Sequence, residues 1–227
     1  MPTGNKVLDN FDIVRQHLKF TNPGDFYVAH VMFRVKDLRN DEEKACYLTH
    51  EETQRLIKTY YIDSLEYFDK KVPAMKDLAE KNKARVYLIP SRKNRLVINR
   101  VLAKRIIDFI DDPNIRYDHL IRSAVCGCHV SDYKWWVLDI DPDSVVEFVS
   151  GSGDMLTCNL MKCKADVVEK MRELVDETKT RSGDEIFEVP TKSGYHIITP
   201  PFDKSKMSYL GENLKTDGMT LLYYKEN

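Results

Sequence analysis

The chain has 227 residues, of which 31% are charged and 42% belong to the hydrophobic set, and its formal net charge is −1. This composition excludes a disordered chain. The sequence has no apolar run near the roughly 20 residues that a membrane-spanning helix needs, and its N-terminal stretch does not read as a signal peptide. We expect a cytoplasmic protein with no membrane partner, long enough for one large domain or two lobes that share a cleft.

The first half of the sequence predicts strands and helices in alternation. Residues 25–38, "DFYVAHVMFRVKDL", are rich in β-branched and aromatic side chains and predict a strand. Residues 49–52 have the spacing of a capping box, which predicts the start of a helix at Thr49. The composition is helical again from Ser64, where Pro73 is expected to kink or divide the helix. Residues 84–91 predict a second strand.

A basic segment follows that strand. Nine Lys or Arg residues and no acid lie between Lys81 and Arg105, and residues 95–110 have the apolar spacing of an amphipathic helix. Such a local field can bind a polyanion even when the whole protein is neutral, although a solvated helix face is the alternative. The expected nucleic-acid contacts are Arg85, Arg92, Lys93, Arg95, Arg100, Lys104 and Arg105.

The second half predicts a small antiparallel sheet. An apolar strand "YKWWVLDIDPD" comes first, and a helix, two strands separated by "KSG" and a last strand "MTLLYY" follow it. This order predicts an α+β fold with a ferredoxin-like, RNA-recognition-like sheet, preceded by an N-terminal α/β lobe that contains the basic helix. We place the lobes at residues 1–118 and 119–227 of one compact core.

Two aspartates, Asp139 and Asp141, end the first strand of that sheet. Side chains at i and i+2 of a strand lie on one face about 7 Å apart, so both carboxylates can reach hard cations. Mg²⁺ or Mn²⁺ held in this way can activate a hydroxyl and stabilise the leaving oxygens of phosphoryl transfer. The alternative is a plain strand that runs into an Asp-Pro-Asp turn.

A second group of polar residues precedes a later strand, in "TKSGYHII". Gly194 allows the backbone to approach a ligand closely, while Lys192 and Ser193 supply a cation and a hydroxyl. His196 begins the strand. Together these residues predict a nucleoside triphosphate site beside the metal ions, and the alternative for His196 is a hydrogen-bonded core histidine.

The acid pair in "VLDID", followed about 50 residues later by the Gly-x-His element of "TKSGYHII", resembles the catalytic core of the archaeo-eukaryotic primase superfamily. The resemblance implies that Asp139 and Asp141 bind metal and that His196 contacts the phosphates of the incoming nucleotide. It also implies a third acid. Asp217 is the candidate, with Asp203 and Glu188 as substitutes, although the hydrophobic residue usual before this acid is replaced by Thr216.

On this resemblance the protein is expected to be a metal-dependent nucleotidyltransferase. It would join NTPs or dNTPs on a single-stranded template by a two-metal mechanism, and a partner helicase would act in trans. Two other classes stay open. One is a non-catalytic nucleic-acid-binding module that exposes Tyr195 and Tyr223 on its sheet. The other is a metal-dependent nuclease or replication initiator. The Lys-x-Asp-Gly sequence at Lys215 also matches a ligase nucleophile motif, but only nine residues follow it.

The five cysteines are odd in number, and in a cytoplasmic protein we expect them to be reduced. Candidate zinc ligands are Cys126, Cys128, Cys158 and Cys163. Their Cys-x-Cys and Cys-x₄-Cys spacings are not those of the usual zinc knuckle, so plain core cysteines are the alternative.

Overall fold

The computed structural model describes residues 6–38, 54–114, 116, 120, 124, 133–149, 155–178 and 185–226. The helices are α1 (Phe11–Arg15), α2 (Leu65–Lys81), α3 (Arg95–Asp108) and α4 (Lys164–Thr178). The strands are β1 (Val7–Asp9), β2 (Asp25–Arg34), β3 (Gln54–Ile62), β4 (Arg85–Asn94), β5 (Trp136–Ile140), β6 (Val145–Val149), β7 (Met155–Asn159), β8 (Phe187–Pro190), β9 (Tyr195–Thr199), β10 (Leu214–Lys215) and β11 (Thr220–Lys225). Short 3₁₀ segments span Val35–Asp37 and Lys204–Asn213.

A five-stranded antiparallel sheet has the strand order β1-β11-β4-β2-β3. Helices α1 and α2 pack on one of its faces, where Phe11 and Phe68 join the main core. Helix α3 covers part of the other face, with Ile98 in a smaller cluster beside Val28 and Ile89. The remainder of this second face borders the cleft that is described below.

A four-stranded antiparallel sheet has the order β10-β5-β9-β8, and β6 and β7 form a separate hairpin. Helix α4 and the second 3₁₀ segment contribute to the core of this sheet, where Met171 and Met207 share a cluster with Leu138 and Ile140. Every second side chain of β5 points to the opposite face of this sheet, because side chains alternate along a strand. Val137 accordingly belongs to the core of the five-stranded sheet.

The mixed α+β class with antiparallel sheets is confirmed. We expected the last strand, "MTLLYY", to belong to the second sheet. It forms β11, which pairs with β4 and β1 in the first sheet. The finer ferredoxin-like description and the two-lobe division remain predictions. The proposed boundary between residues 118 and 119 lies outside the described residues.

Two local predictions can be compared with the structure. Residues 54–62, expected to belong to a helix that starts at Thr49, form β3, which pairs with β2 along nearly its whole length. The predicted start of that helix, residues 49–53, lies outside the described residues. The capping box is a short-range signal, and the long ladder with β2 outweighs it. Pro73 does not divide α2 into separate helices, since the helix is continuous across it. Pro73 is exposed, so water can reach the carbonyl that loses its hydrogen-bond donor.

Candidate active site

A cleft of about 610 Å³ lies between the open part of the five-stranded sheet and the end of the four-stranded sheet. Its first side consists of residues on or next to β2, β3, β4 and β11, and its second side consists of residues on or next to β5, β9 and β10. The polar residues of the first side are Arg34, Asp37, Gln54, Arg85 and Tyr87, and those of the second are Asp139, Asp141, Thr191, Lys192, Ser193, His196, Lys215 and Asp217. The acid pair therefore lines one cleft with Lys192, Ser193 and His196, whereas Gly194 is not among its described lining residues.

Strand pairing places His196 next to Asp139. The two residues are directly opposite each other in the β5–β9 ladder, and His196 Nε2 lies 3.5 Å from Asp139 Oδ1. The other ring nitrogen, Nδ1, is 3.2 Å from the Thr220 hydroxyl. His196 is only 9% exposed, so it is a buried, hydrogen-bonded histidine that also lines the cleft. His196 can therefore be a hydrogen-bonded core histidine and a residue of the site at the same time.

Asp139 is ionised and held by two partners. The hydrogen bond from His196, together with that from Lys215, holds the pKa of the Asp139 carboxyl far below its ordinary value, although partial burial opposes the shift. Lys215 Nζ donates to Asp139 Oδ2 at 2.7 Å. Both carboxylate oxygens of Asp139 are therefore engaged by protein groups.

The turn before β9 lies directly on the end of β5. A Cβ atom on Gly194 would stand 1.8 Å from the carbonyl oxygen of Ile140, a distance that no side chain tolerates. Ser193 Oγ donates to Asp141 Oδ1 at 2.6 Å, and the Thr191 hydroxyl accepts from Gly194 N at 2.9 Å. The sequence suggested that Gly194 admits a ligand, whereas the structure shows that it admits the main chain of β5.

Asp217 lines the cleft that also contains Asp139 and Asp141. Its position depends on Gly218, whose added Cβ would lie 2.7 Å from Val137 Cβ and so would push the β10–β11 turn off β5. The substitutes are engaged elsewhere. Glu188 accepts from Lys164 at 2.7 Å, and Asp203 caps the second 3₁₀ segment.

The first side of the cleft is cationic. Arg85 and Asp37 form a buried bidentate ion pair, in which Arg85 Nε lies 2.6 Å from Asp37 Oδ2. Arg34 donates to the Tyr87 hydroxyl at 2.9 Å, and Lys192 Nζ reaches within 3.6 Å of Asp37 Oδ1. The sequence analysis missed Arg34, Asp37 and Tyr87 as site residues. The available signal was the change from apolar to charged residues in "FRVKD" at the end of a long apolar strand.

The basic segment is divided between three environments. Arg85 lines the cleft, and Arg92 and Lys93 are only 4% exposed, with Arg92 Nε 3.3 Å from Asp25. Buried positions of this kind support the fold, so they offer no surface to a polyanion. The other members lie on α3, where Arg95 pairs with an aspartate, Arg105 is half-buried and Arg100 and Lys104 are exposed.

The carboxylates suit a divalent cation that is shared with a ligand. Asp139 and Asp141 offer the hard oxygen donors that Mg²⁺ and Mn²⁺ prefer. Among the described residues, however, no group of three or more His, Cys, Asp or Glu side chains is arranged to hold an ion on its own. Mg²⁺ is often bound by one or two carboxylates and completed by water and substrate phosphates. The donor set fits that mode of binding rather than an all-protein cage.

The cysteine predictions have a different outcome. Cys158 and Cys163 are joined in a disulfide, so the expectation of reduced thiols is wrong for this pair. A disulfide sulfur is not a thiolate, and in this state neither residue can serve as a zinc ligand. Cys126 and Cys128 lie outside the described residues.

The aromatic residues of the non-catalytic alternative are not free for base stacking. Tyr223 is 4% exposed, and its hydroxyl donates to Glu80 at 2.6 Å. Tyr195 is half-buried and carries the Lys164 ammonium 4.1 Å above its ring.

Within the described part of the chain, no helix has both the length and the apolar character needed to cross a bilayer. Comparisons with protein-family models, with curated proteins and with solved structures find no match to this chain.

Proposed function

We propose that the protein is a primase-type nucleotidyltransferase that joins NTPs or dNTPs on a single-stranded template. The observation that carries the proposal is the separation of charge in the cleft. Among the described lining residues, the first side has two arginines and one carboxylate, and the second has three carboxylates and two lysines, of which Lys192 extends its ammonium to within 3.6 Å of Asp37 on the first side. A bare polyphosphate would be repelled by the second side and a bare cation by the first. A nucleoside triphosphate complexed with divalent metal satisfies both.

The cationic side would bind the phosphate chain. Arg34 presents a planar guanidinium group that suits phosphate oxygens, and Lys192 adds a flexible point charge. The guanidinium of Arg85 is held by Asp37 and contributes positive charge to the wall behind them. Ser193 and His196 contact Asp141 and Asp139, and all four residues line the same cleft as these cations, so a triphosphate held by the cations would lie beside the acid pair. The residues thus act by positioning and by charge, which is what phosphoryl transfer requires of a protein.

Asp139 and Asp141, with Asp217 nearby, would hold the metal ions. When bound, such ions activate the attacking hydroxyl and neutralise charge on the leaving group. An aspartate is ionised at neutral pH even at its ordinary pKa, and the lowered pKa of Asp139 extends its ionised form to more acidic solution. A zinc site remains a separate prediction that involves cysteines outside the described residues.

The template would bind along α3, where Arg100 and Lys104 are exposed. An RNA-recognition-like second lobe, a helicase that acts in trans and a cytoplasmic location belong to the same proposal. The product, RNA or DNA, depends on which nucleotide the cleft accepts.

The test is template-directed synthesis by the purified chain. Single-stranded DNA, labelled NTPs or dNTPs and Mg²⁺ or Mn²⁺ are incubated with the wild type and with Asp139→Asn and Asp141→Asn. We expect products that require template and that fall by at least about 100-fold in both variants, since each removes a charge that acts on the transferred phosphate. Asp143→Asn is the matched control, because Asp143 is exposed in the turn that follows β5. Undiminished synthesis in the two variants, or firm template binding with no synthesis by the wild type, would refute the proposal.

The third acid is tested in the same assay. Asp217→Asn is expected to lower synthesis by a similar factor, because Asp217 lines the cleft. Glu188→Gln and Asp203→Asn are expected to remain close to wild type, since neither residue is among the described residues that line the cleft. A loss confined to Glu188→Gln or Asp203→Asn would show that the assignment of Asp217 is wrong.

A further inference from the structure

Lys215 occupies the position at Asp139 where a divalent cation would bind. Its ammonium donates to Asp139 Oδ2 at 2.7 Å, while His196 Nε2 faces Asp139 Oδ1. Lys215 lies on the short strand β10, opposite Val137 in the ladder with β5, so its stem starts from a fixed point beside the acid pair. Its side chain is 51% exposed at the mouth of the cleft, which leaves the ammonium free to swing.

A resident cation has a physical reason at this site. Asp139 and Asp141 lie close together on one side of the cleft with Asp217, and like charges at such a site repel each other. Ser193 neutralises none of this charge, because its hydroxyl only donates a hydrogen bond to Asp141. Lys215 places a positive charge against Asp139, which offsets part of this repulsion in the free protein.

We propose that Lys215 is an exchangeable counter-ion of the metal site, which leaves Asp139 when a divalent cation binds and then contacts the phosphates of the bound nucleotide. The inference rests on the proposed function, because it takes Asp139 as a metal ligand and the cleft as the triphosphate site. It adds a coupling between the two ligands. A divalent cation that binds alone must displace Lys215 from Asp139. When nucleotide binds as well, its phosphates give the Lys215 ammonium a new anionic partner in the same cleft.

The exchange has two measurable consequences. Removal of the ammonium should tighten the binding of metal in the absence of nucleotide, because the ion no longer competes with a lysine and is no longer repelled by one. For an exposed pair we expect the Kd for Mn²⁺ to fall by about fivefold. Removal should also reduce the factor by which nucleotide tightens Mn²⁺ binding, because that factor includes the new contact of Lys215.

The experiment is calorimetric titration of the full chain with Mn²⁺, with and without a non-hydrolysable nucleoside triphosphate analogue. The variants are Lys215→Met, which keeps the length of the stem, and Lys215→Arg, which keeps the charge. Lys206→Met is the matched control, since Lys206 pairs with Glu177 away from the cleft. Lys215→Met should bind Mn²⁺ about fivefold more tightly without the analogue and should show weaker coupling. Lys215→Arg and Lys206→Met should stay within about twofold of wild type. Melting temperatures confirm that each variant is folded.

The outcomes separate the inference from the proposed function. Tighter Mn²⁺ binding by Lys215→Met supports the inference even if the wild type shows no synthesis. An unchanged or higher Kd in Lys215→Met overturns the inference while leaving the acid pair as a metal site. Failure of both wild type and Lys215→Met to bind Mn²⁺ at millimolar concentration, with the nucleotide analogue as well as without it, overturns both. Asp139→Asn in the Lys215→Met background should abolish the gain, and a gain that persists there would place the ion elsewhere and refute the exchange.

Discussion

Substitution of Gly194 by alanine tests whether the turn before β9 must lie against the end of β5. The new Cβ would stand 1.8 Å from the Ile140 carbonyl oxygen, and ordinary contacts of a Cβ atom lie between 3.4 and 4 Å. Even a tight contact of 3.0 Å requires the turn or the strand to move by about 1.2 Å. That movement would carry Ser193 away from Asp141.

The magnitude follows from two opposing effects. Overpacking against a backbone atom that cannot rotate away is expected to reach the upper end of the usual range, about 3 kcal/mol. Alanine also reduces the conformational entropy of the unfolded chain, which offsets about 0.4 to 1 kcal/mol. The net loss in the free energy of unfolding is therefore about 2 kcal/mol, or roughly 6 °C in Tm for a chain of this length.

The assay is urea denaturation of Gly194→Ala beside Ser193→Ala. The serine variant removes the 2.6 Å hydrogen bond to Asp141 without changing the backbone, so it should cost about 1 kcal/mol or less. We expect the glycine variant to lose about twice as much stability and to lose synthesis as well. A Gly194→Ala protein as stable as wild type would contradict the close approach of the turn to β5.

The other predictions concern ion pairs and pH. The pKa of Asp139 is lowered in the folded protein by His196, so its ionised form adds stability that is complete above the ordinary aspartate pKa of about 3.9 and is lost as the pH falls below it. The difference in unfolding free energy between wild type and Asp139→Asn should therefore shrink between pH 6 and pH 3, and a constant difference would contradict the shift. Asp37→Ala should cost about 3 to 5 kcal/mol in urea denaturation, because it leaves Arg85 buried without its bidentate partner. A double substitution of Arg100 and Lys104 by glutamate should weaken the binding of labelled single-stranded DNA by at least about tenfold at low salt and flatten its salt dependence, whereas unchanged binding would move the template away from α3.

Much of the secondary structure was predictable because its causes are local. The apolar run of β2 and the spacing of apolar residues in α3 identify these elements from the sequence. The prediction of a helix over residues 54–62 is wrong because β3 depends on its ladder with β2, which pairs residues such as His30 and Thr59 that are 29 positions apart in the chain. The position of β11 could not be predicted for the same reason, since its partners β1 and β4 are distant in sequence.

The sequence by itself determined the chemical groups of the site and part of their arrangement. The alternation of side chains along a strand places Asp139 and Asp141 on one face, and a turn that contains glycine must precede His196. Tertiary structure decided the rest. The register of β5 against β9 sets Asp139 beside His196, and the packing of the two sheets brings Arg34 and Arg85 to the opposite side of the cleft. These positions depend on contacts between residues far apart in the chain, and a pattern of neighbouring residues does not record such contacts.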